Sequence, residues 1–150
     1  MAHFVIRASS RRPAIDCFDH LADWDAHGAV IPLTTLEHEG PPRVGQRFVA
    51  RTGLGRLGMG KVGFDDVMVV TELRPPAGDD PGDTPGVGEV QKTGRVVGGH
   101  VRWTVTPSTS GSDVEWNQDL TVGWLPGWAD PVVGLVGRAA YTAGLRRLLR

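Results

Sequence analysis

At 150 residues, 40% of them hydrophobic, the chain can bury the core of one domain, spanning residues 1–150. Lys and Arg number 16 and Asp and Glu 17, a formal net charge of -1, which excludes a nucleic-acid protein driven by phosphate neutralisation. No apolar run reaches the ~20 residues of a membrane helix, so no stable membrane insertion is expected. The opening MAHFVIRASSRR lacks the apolar stretch and cleavage site of a signal peptide. A lone Cys17 excludes an internal disulfide framework and fits a reducing compartment, so the expected location is cytoplasmic.

Taken in order, His3 to Ser9 reads as a short strand. A helical segment follows, with Pro13 suited to its first turn and Ile15, Phe18, Leu21 and Ala22 at helical spacing. Cys17 lies in that apolar pattern and reads as a packed core thiol. Trp24 reads as an anchor for the segment. Gly28 and Pro32 punctuate its end. The chain then changes to strands: a weak one over 34–39, then GQRFVAR over 45–51, then valine-rich FDDVMVVTEL over 64–73. The stretch PPAGDDPGDTPGVG holds three aspartates, four prolines and four glycines in 14 residues and reads as a mobile hairpin loop. EVQKTGRVV and HVRWTVTP follow as strands, with Gly98-Gly99 between them read as a tight turn. In HVRWTVTP, Val101, Trp103 and Val105 alternate with polar residues; in DVEWNQDLTV, Val114, Trp116, Gln118 and Leu120 share one face. Asp130-Pro131 reads as an N-cap and first helical residue. PVVGLVGRAAYTAGLRRLLR then forms a closing helix of about 20 residues, apolar nearly all round in its first half and so expected to be buried on most sides. Its arginines favour the C-terminal end.

The stretch TGLGRLGMGKVGF places five glycines between Gly53 and Gly63. Gly53 to Gly58 spells GxGxxG, and Gly55 to Lys61 spells GxxxxGK. Both motifs need a helix next, and the second needs a hydroxyl after its lysine. A β-branched run follows instead, and Val62 stands at the hydroxyl position. The stretch therefore reads as a loop between two strands. Successive hairpins alternate between the ends of a meander, so this loop, the Gly98-Gly99 turn and the segment holding Trp124 and Trp128 should share one rim. Two expectations stand there side by side: a gate over residues 53–63, greasy through Leu54, Leu57 and Met59, or the same three side chains simply plugging the end of the barrel.

The element order, together with ADWDAHGAVIPLT, RTGLGRLG before FDDVM, KTGRVVGG, VEWNQDL and the arginine-rich closing helix, resembles the START-like (SRPBCC, helix-grip) superfamily, especially its polyketide cyclase/dehydrase-like members. The resemblance covers essentially the whole chain. It implies an α+β fold in which a seven-stranded antiparallel sheet wraps a long C-terminal helix, with a short helical segment after the first strand. It also implies an interior cavity for a small hydrophobic ligand, such as a lipid, a quinone or a polyketide-like compound.

The candidate ligand-lining residues are Phe48, Leu54, Leu57, Met59, Met68, Trp103, Trp116, Trp128, Leu135 and Ala139. Trp103 and Trp116 would either stack on a flat ligand or fill the space under the helix. For the alternative of a cyclase or dehydratase, the candidate catalytic residues are Asp66, His100 and Arg51. Asp65 and Asp66 are adjacent on a strand, so at most one of them faces inward. Arg51 and Arg95 could hold a carboxylate or phenolate if they point inward. The histidines show no metal-site spacing with one another or with Cys17, so neither a metal nor a cofactor is expected. A protein-interaction module without a ligand is the remaining alternative, and a homodimer is possible.

Overall fold

A computed structural model describes residues 1–31, 34–53 and 63–150. The elements are β1 (Ala2–Ser10), α1 (Ala14–Ala22), α2 (Trp24–Val30), β2 (Thr34–Glu37), β3 (Arg47–Gly53), β4 (Gly63–Arg74), β5 (Gly86–Thr93), β6 (Val97–Ser108), β7 (Gly111–Val122) and α3 (Asp130–Leu148). A single 3-10 turn, Gly127–Ala129, leads into α3. The strands form one antiparallel sheet in the order β1-β7-β6-β5-β4-β3-β2. This is the helix-grip α+β arrangement, with α1 and α2 carrying the chain from one edge of the sheet to the other.

Alternation builds the inner face. Phe4 and Ile6 on β1, Phe48 and Ala50 on β3, and Val101, Trp103 and Val105 on β6 are buried, with the less buried Val5, Val49, Arg102 and Thr104 between them. On β4 the inward series is Asp66, Met68 and Val70, and on β5 it is Gly88, Val90 and Lys92. One charged side chain from each strand therefore points into the core. The β4–β5 register shifts between Val70 and Glu72, the mark of a β-bulge.

Four local expectations are corrected. The β5–β6 turn is Gly94–Val96, not Gly98-Gly99, which lie inside β6 opposite Thr93 and Lys92. Gly99 has φ +122, and a Cβ there would stand 2.1 Å from the Asp119 carbonyl oxygen, so its glycine serves close strand approach. On α1 the inward stripe is Ala14, Cys17, Phe18 and Leu21, while Ile15 is exposed. The loop after β4 is tied down. Ala77 donates to the Thr84 carbonyl, Asp83 bridges back to the Asp80 amide, and the Asp79 carboxylate accepts from the Ile15 amide at 2.8 Å. Pro13 offers α1 no side-chain cap, and Asp79 supplies one from 64 residues away.

The fourth correction concerns α3. Only Leu145 and Leu148 of this helix are buried, while Val132, Leu135 and Val136 are 60%, 71% and 62% exposed. Helical spacing explains which side turned inward. Gly134, Gly137, Tyr141, Leu145 and Leu148 lie on one face. A Cβ at Gly134 would be 3.5 Å from Ala2, and one at Gly137 would be 3.2 Å from the Phe4 ring. Small residues thus let the first half of the helix approach β1, and the valines and leucine are left outside.

Candidate functional site

An inner cavity of about 270 Å³ lies between strands β2–β7 of the sheet, α2 and Tyr141 of α3. Its wall is largely apolar and aromatic: Trp24, Phe48, Met68, Val90, Val101, Trp103, Trp116 and Leu120 all contribute. A second compartment of about 480 Å³ adjoins it between α2, α3 and the β2–β4 edge. His27, Ile31, Thr34, Thr52, Phe64, Trp116 and Tyr141 belong to both walls. Ligand sites commonly span about 300–1,000 Å³; the inner compartment, at about 270 Å³, falls just below that range, and the adjoining one, at about 480 Å³, lies within it.

The aromatic wall is ordered by its own contacts. Trp24 opens α2 and stacks on Phe48 at 4.3 Å; its indole N–H donates to Gln46 at 3.0 Å. Trp103 meets Trp24 edge-on at 6.3 Å and stacks on Trp116 at 5.7 Å. Trp116 in turn meets Tyr141 at 6.2 Å and donates to Gln118. Gly88, paired with Trp103 across β5–β6, gives the indole its seat: a Cβ there would be 2.1 Å from the ring. Trp103 is 1% exposed and fills one end of the interior; the cavity persists beside it.

One pole of the cavity is charged. Met68 lies directly opposite Lys92 across β4–β5, and Asp66 is the next inward residue along β4. The Lys92 ammonium donates to Asp66 Oδ2 and lies 3.6 Å from the Met68 sulfur. The Lys92 and Asp66 side chains are 2% and 10% exposed. Asp66 Oδ1 is buried with no hydrogen-bond partner among the described residues. Burial pushes the Asp66 carboxyl above its ordinary value, and Lys92 offsets part of that. Burial opposes the Lys92 charge as well, but Tyr141 and Asp66 outweigh it and hold the ammonium above its ordinary value.

His27 sits where the two compartments meet. Its Nε2 lies 2.7 Å from the Leu21 carbonyl, which can only accept, so Nε2 carries the hydrogen. Burial lowers its pKa and keeps the imidazole neutral, against the opposing pull of that hydrogen bond.

Of the candidate residues, Phe48, Met68, Trp103, Trp116 and Asp66 line the inner cavity. Leu54, Leu57 and Met59 lie outside the described residues, as does most of the 53–63 stretch. The placement of three others as cavity lining is corrected. Trp128 is 81% exposed in the turn before α3, and Leu135 and Ala139 point outward because the glycine face of the helix took the inside. Two polar candidates also lie outside the cavity. Arg51 is on the outer face of the sheet, paired with Asp65 and Glu37, because the alternation that turns Phe48 and Ala50 inward turns it out. His100, within β6 rather than at a turn, bonds Asp119 at 2.9 Å on the same outer face; Asp119 also accepts from His3. Arg95 is exposed in the β5–β6 turn. Lys92, His27 and Tyr141 escaped the sequence reading. For Lys92 the signal was present: it alternates with Val90. Among the described residues no group of three or more His, Cys, Asp or Glu side chains could hold a metal ion. No helix of the described residues is long and apolar enough to cross a membrane.

A cavity held between a seven-stranded antiparallel sheet and a C-terminal helix defines a helix-grip protein. Solved structures share this fold over nearly the whole chain. The di-domain aromatase/cyclase StfQ, from the steffimycin biosynthetic pathway, matches 99% of it with a TM-score of 0.68 at 19% identity. This chain spans half the length of StfQ. The Zhui aromatase/cyclase of a Streptomyces species matches 98% of the chain and 90% of its own, with a TM-score of 0.63 at 13% identity. A protein of Thermus thermophilus matches 97% of the chain and 93% of its own, with a TM-score of 0.67 at 12% identity. No family model matches the sequence, and neither does any curated protein. The likeness to these structures is one of fold.

Proposed function

We propose that this chain binds a small, flat, largely apolar molecule, of the lipid, quinone or polyketide-like class, with one oxygen-bearing group set against the Asp66–Lys92–Tyr141 pole. The carrying observation is a buried ion pair in an otherwise aromatic and aliphatic cavity. Such a pair is a poor way to stabilise a fold, since hydrophobic residues of similar volume commonly do as well or better. Apolar walls with a few convergent polar groups are the ordinary form of a small-molecule site. The single cysteine, fully buried at Cys17, remains consistent with a cytoplasmic setting. The test is titration with 2-naphthol, followed by quenching of Trp103 and Trp116, together with native mass spectrometry of freshly purified protein. Saturable quenching or a co-purifying small molecule is expected. A flat titration and a ligand-free mass spectrum would overturn the proposal.

The second reading, a cyclase or dehydratase acting in the same cavity, is favoured by His27. A neutral imidazole, a carboxylate, an ammonium and a phenol on one cavity wall are the groups that move protons around a carbonyl compound. Turnover lost on His27→Gln or Asp66→Asn, with the fold retained, would support it. No turnover on any ketide-like substrate would leave a carrier.

A further inference from the structure

Of the 16 Lys and Arg residues, two are lysines, Lys61 and Lys92. The chain uses arginine almost everywhere it needs a cation, yet a lysine rather than an arginine stands in the inner cavity wall. Its side chain is 2% exposed and its partner Asp66 is 10% exposed. Arginine would supply the same charge and more hydrogen bonds to Asp66. Arginine cannot give up its proton and act as a nucleophile, whereas a lysine in contact with a carboxylate can hand it one, even where, as here, Tyr141 and Asp66 hold the ammonium above its ordinary value. The Oδ1 of Asp66, unpartnered among the described residues, points the same way, because a buried acceptor left unsatisfied costs stability and returns none.

From the cavity, the buried amine and its carboxylate we infer that Lys92 is a covalent anchor, condensing with the carbonyl group of an aldehyde or ketone ligand to form an imine. The inference rests on the proposed binding of a small apolar molecule and names its reactive group. The ammonium first passes a proton to the Asp66 carboxylate, with which it is already in contact. The freed Nζ lone pair attacks the carbonyl carbon, forming the C–N bond while the C=O π pair moves to oxygen. The carbinolamine oxygen takes up one proton from the nitrogen and one from Asp66 and leaves as water. The protonated imine keeps the positive charge beside a restored Asp66 carboxylate. One ammonium and one carbonyl thus become one iminium and one water, with no oxidant or reductant. Tyr141, which also interacts with Lys92, is placed to hydrogen-bond the carbonyl oxygen as charge builds on it.

The test treats the full chain with 2-naphthaldehyde and sodium cyanoborohydride, which fixes an imine as a secondary amine, and reads the intact mass and its peptide map. The expected gain is one aldehyde less one oxygen, mapped to Lys92 in preference to Lys61 and the terminal amine. Lys92→Arg keeps a cation beside Asp66 and should abolish the gain. Asp66→Asn should slow it roughly 100-fold, the scale of a lost acid–base group. Because either variant could misfold, the unaltered protein is also labelled under saturating 2-naphthol, which should protect Lys92 and leave Lys61 unprotected. Quenching by both naphthyl probes without an adduct on Lys92 would overturn the covalent anchor and leave ligand binding standing. Quenching by neither would overturn the binding proposal and the anchor with it.

Discussion

Removing one member of the Asp66–Lys92 pair leaves the other charge buried without a partner. At 2% and 10% side-chain exposure neither charge has water to fall back on. Lys92→Met, or Asp66→Leu, should therefore cost about 3–5 kcal/mol. For a chain of this length each kcal/mol moves Tm by roughly 2–4 °C, so either single variant should melt roughly 6–20 °C lower. Were the two costs independent, the double variant would lose about 6–10 kcal/mol. If they share one origin, the double variant has no uncompensated charge and fills the same space with apolar atoms. It should then melt within a few degrees of the unaltered protein, or above it. Urea and thermal melts at neutral pH on the four proteins close the cycle. Single variants losing under about 1 kcal/mol would show that the side chains reach water. A double variant losing the full sum would show that the pair is not coupled. Either result removes the basis for reading the pole as functional. The double variant also separates the roles: it should be stable and should no longer take up 2-naphthaldehyde.

Further outcomes follow from the same contacts. Gly88→Val should displace the Trp103 indole, cost about 1–3 kcal/mol through overpacking and change the near-ultraviolet circular dichroism; an unchanged tryptophan spectrum would contradict the contact. His27 is buried neutral, with its folded pKa below the ordinary 6.5, so the unfolded chain takes up a proton first as pH falls. Its contribution to stability is present above about pH 6.5 and is lost below it at up to about 1.4 kcal/mol per pH unit; His27→Phe should flatten that part of the stability profile, and identical slopes would refute the assignment. Asp79→Ala should cost about 1 kcal/mol, because α1 then loses its only side-chain cap, and a melt unchanged within error would show that water replaces it.

How much of this was legible in the sequence depends on whether one element or two decide the outcome. Alternation within a strand set the inward faces of β6 and β7, where Trp103 and Trp116 appear as expected. The closing helix was legible as a helix but not in its orientation. Apolar residues run along both its sides, and the packing partner chose between them. Close approach to Ala2 and Phe4 favours Gly134 and Gly137, which no hydrophobic pattern reveals. The β5–β6 turn was misplaced for a related reason. Gly98-Gly99 looks like a turn in isolation, but the pairing of Trp103 with Gly88 and of Trp116 with Trp103 places the turn four residues earlier. The adjacent aspartates were resolved only in part. Strand geometry allows one of them to face inward, and Arg51 on β3 draws Asp65 outward and so leaves Asp66 inside. Asp66 and Lys92 are 26 residues apart, and only the register of β4 against β5 brings them together.

If the chain binds a small molecule as proposed, the tryptophans limit what shape of molecule can reach the pole. Trp103 and Trp116 stack with an interplanar angle of 17°, and Trp24 stacks on Phe48 at 14° with its edge toward Trp103. Rings fixed in this way cannot fold aside for a bulky guest without giving up several aromatic contacts at once. The inner space they leave favours a thin molecule. Trp116, His27 and Tyr141 also stand at the junction with the outer compartment, so a ligand long enough to occupy both must pass between them. On the outer side α3 presents Ala140, Ala143 and Gly144, whose small side chains leave room for such an extension. A flat head at the Asp66–Lys92 pole and a narrow apolar tail along α3 is the ligand shape that satisfies both compartments.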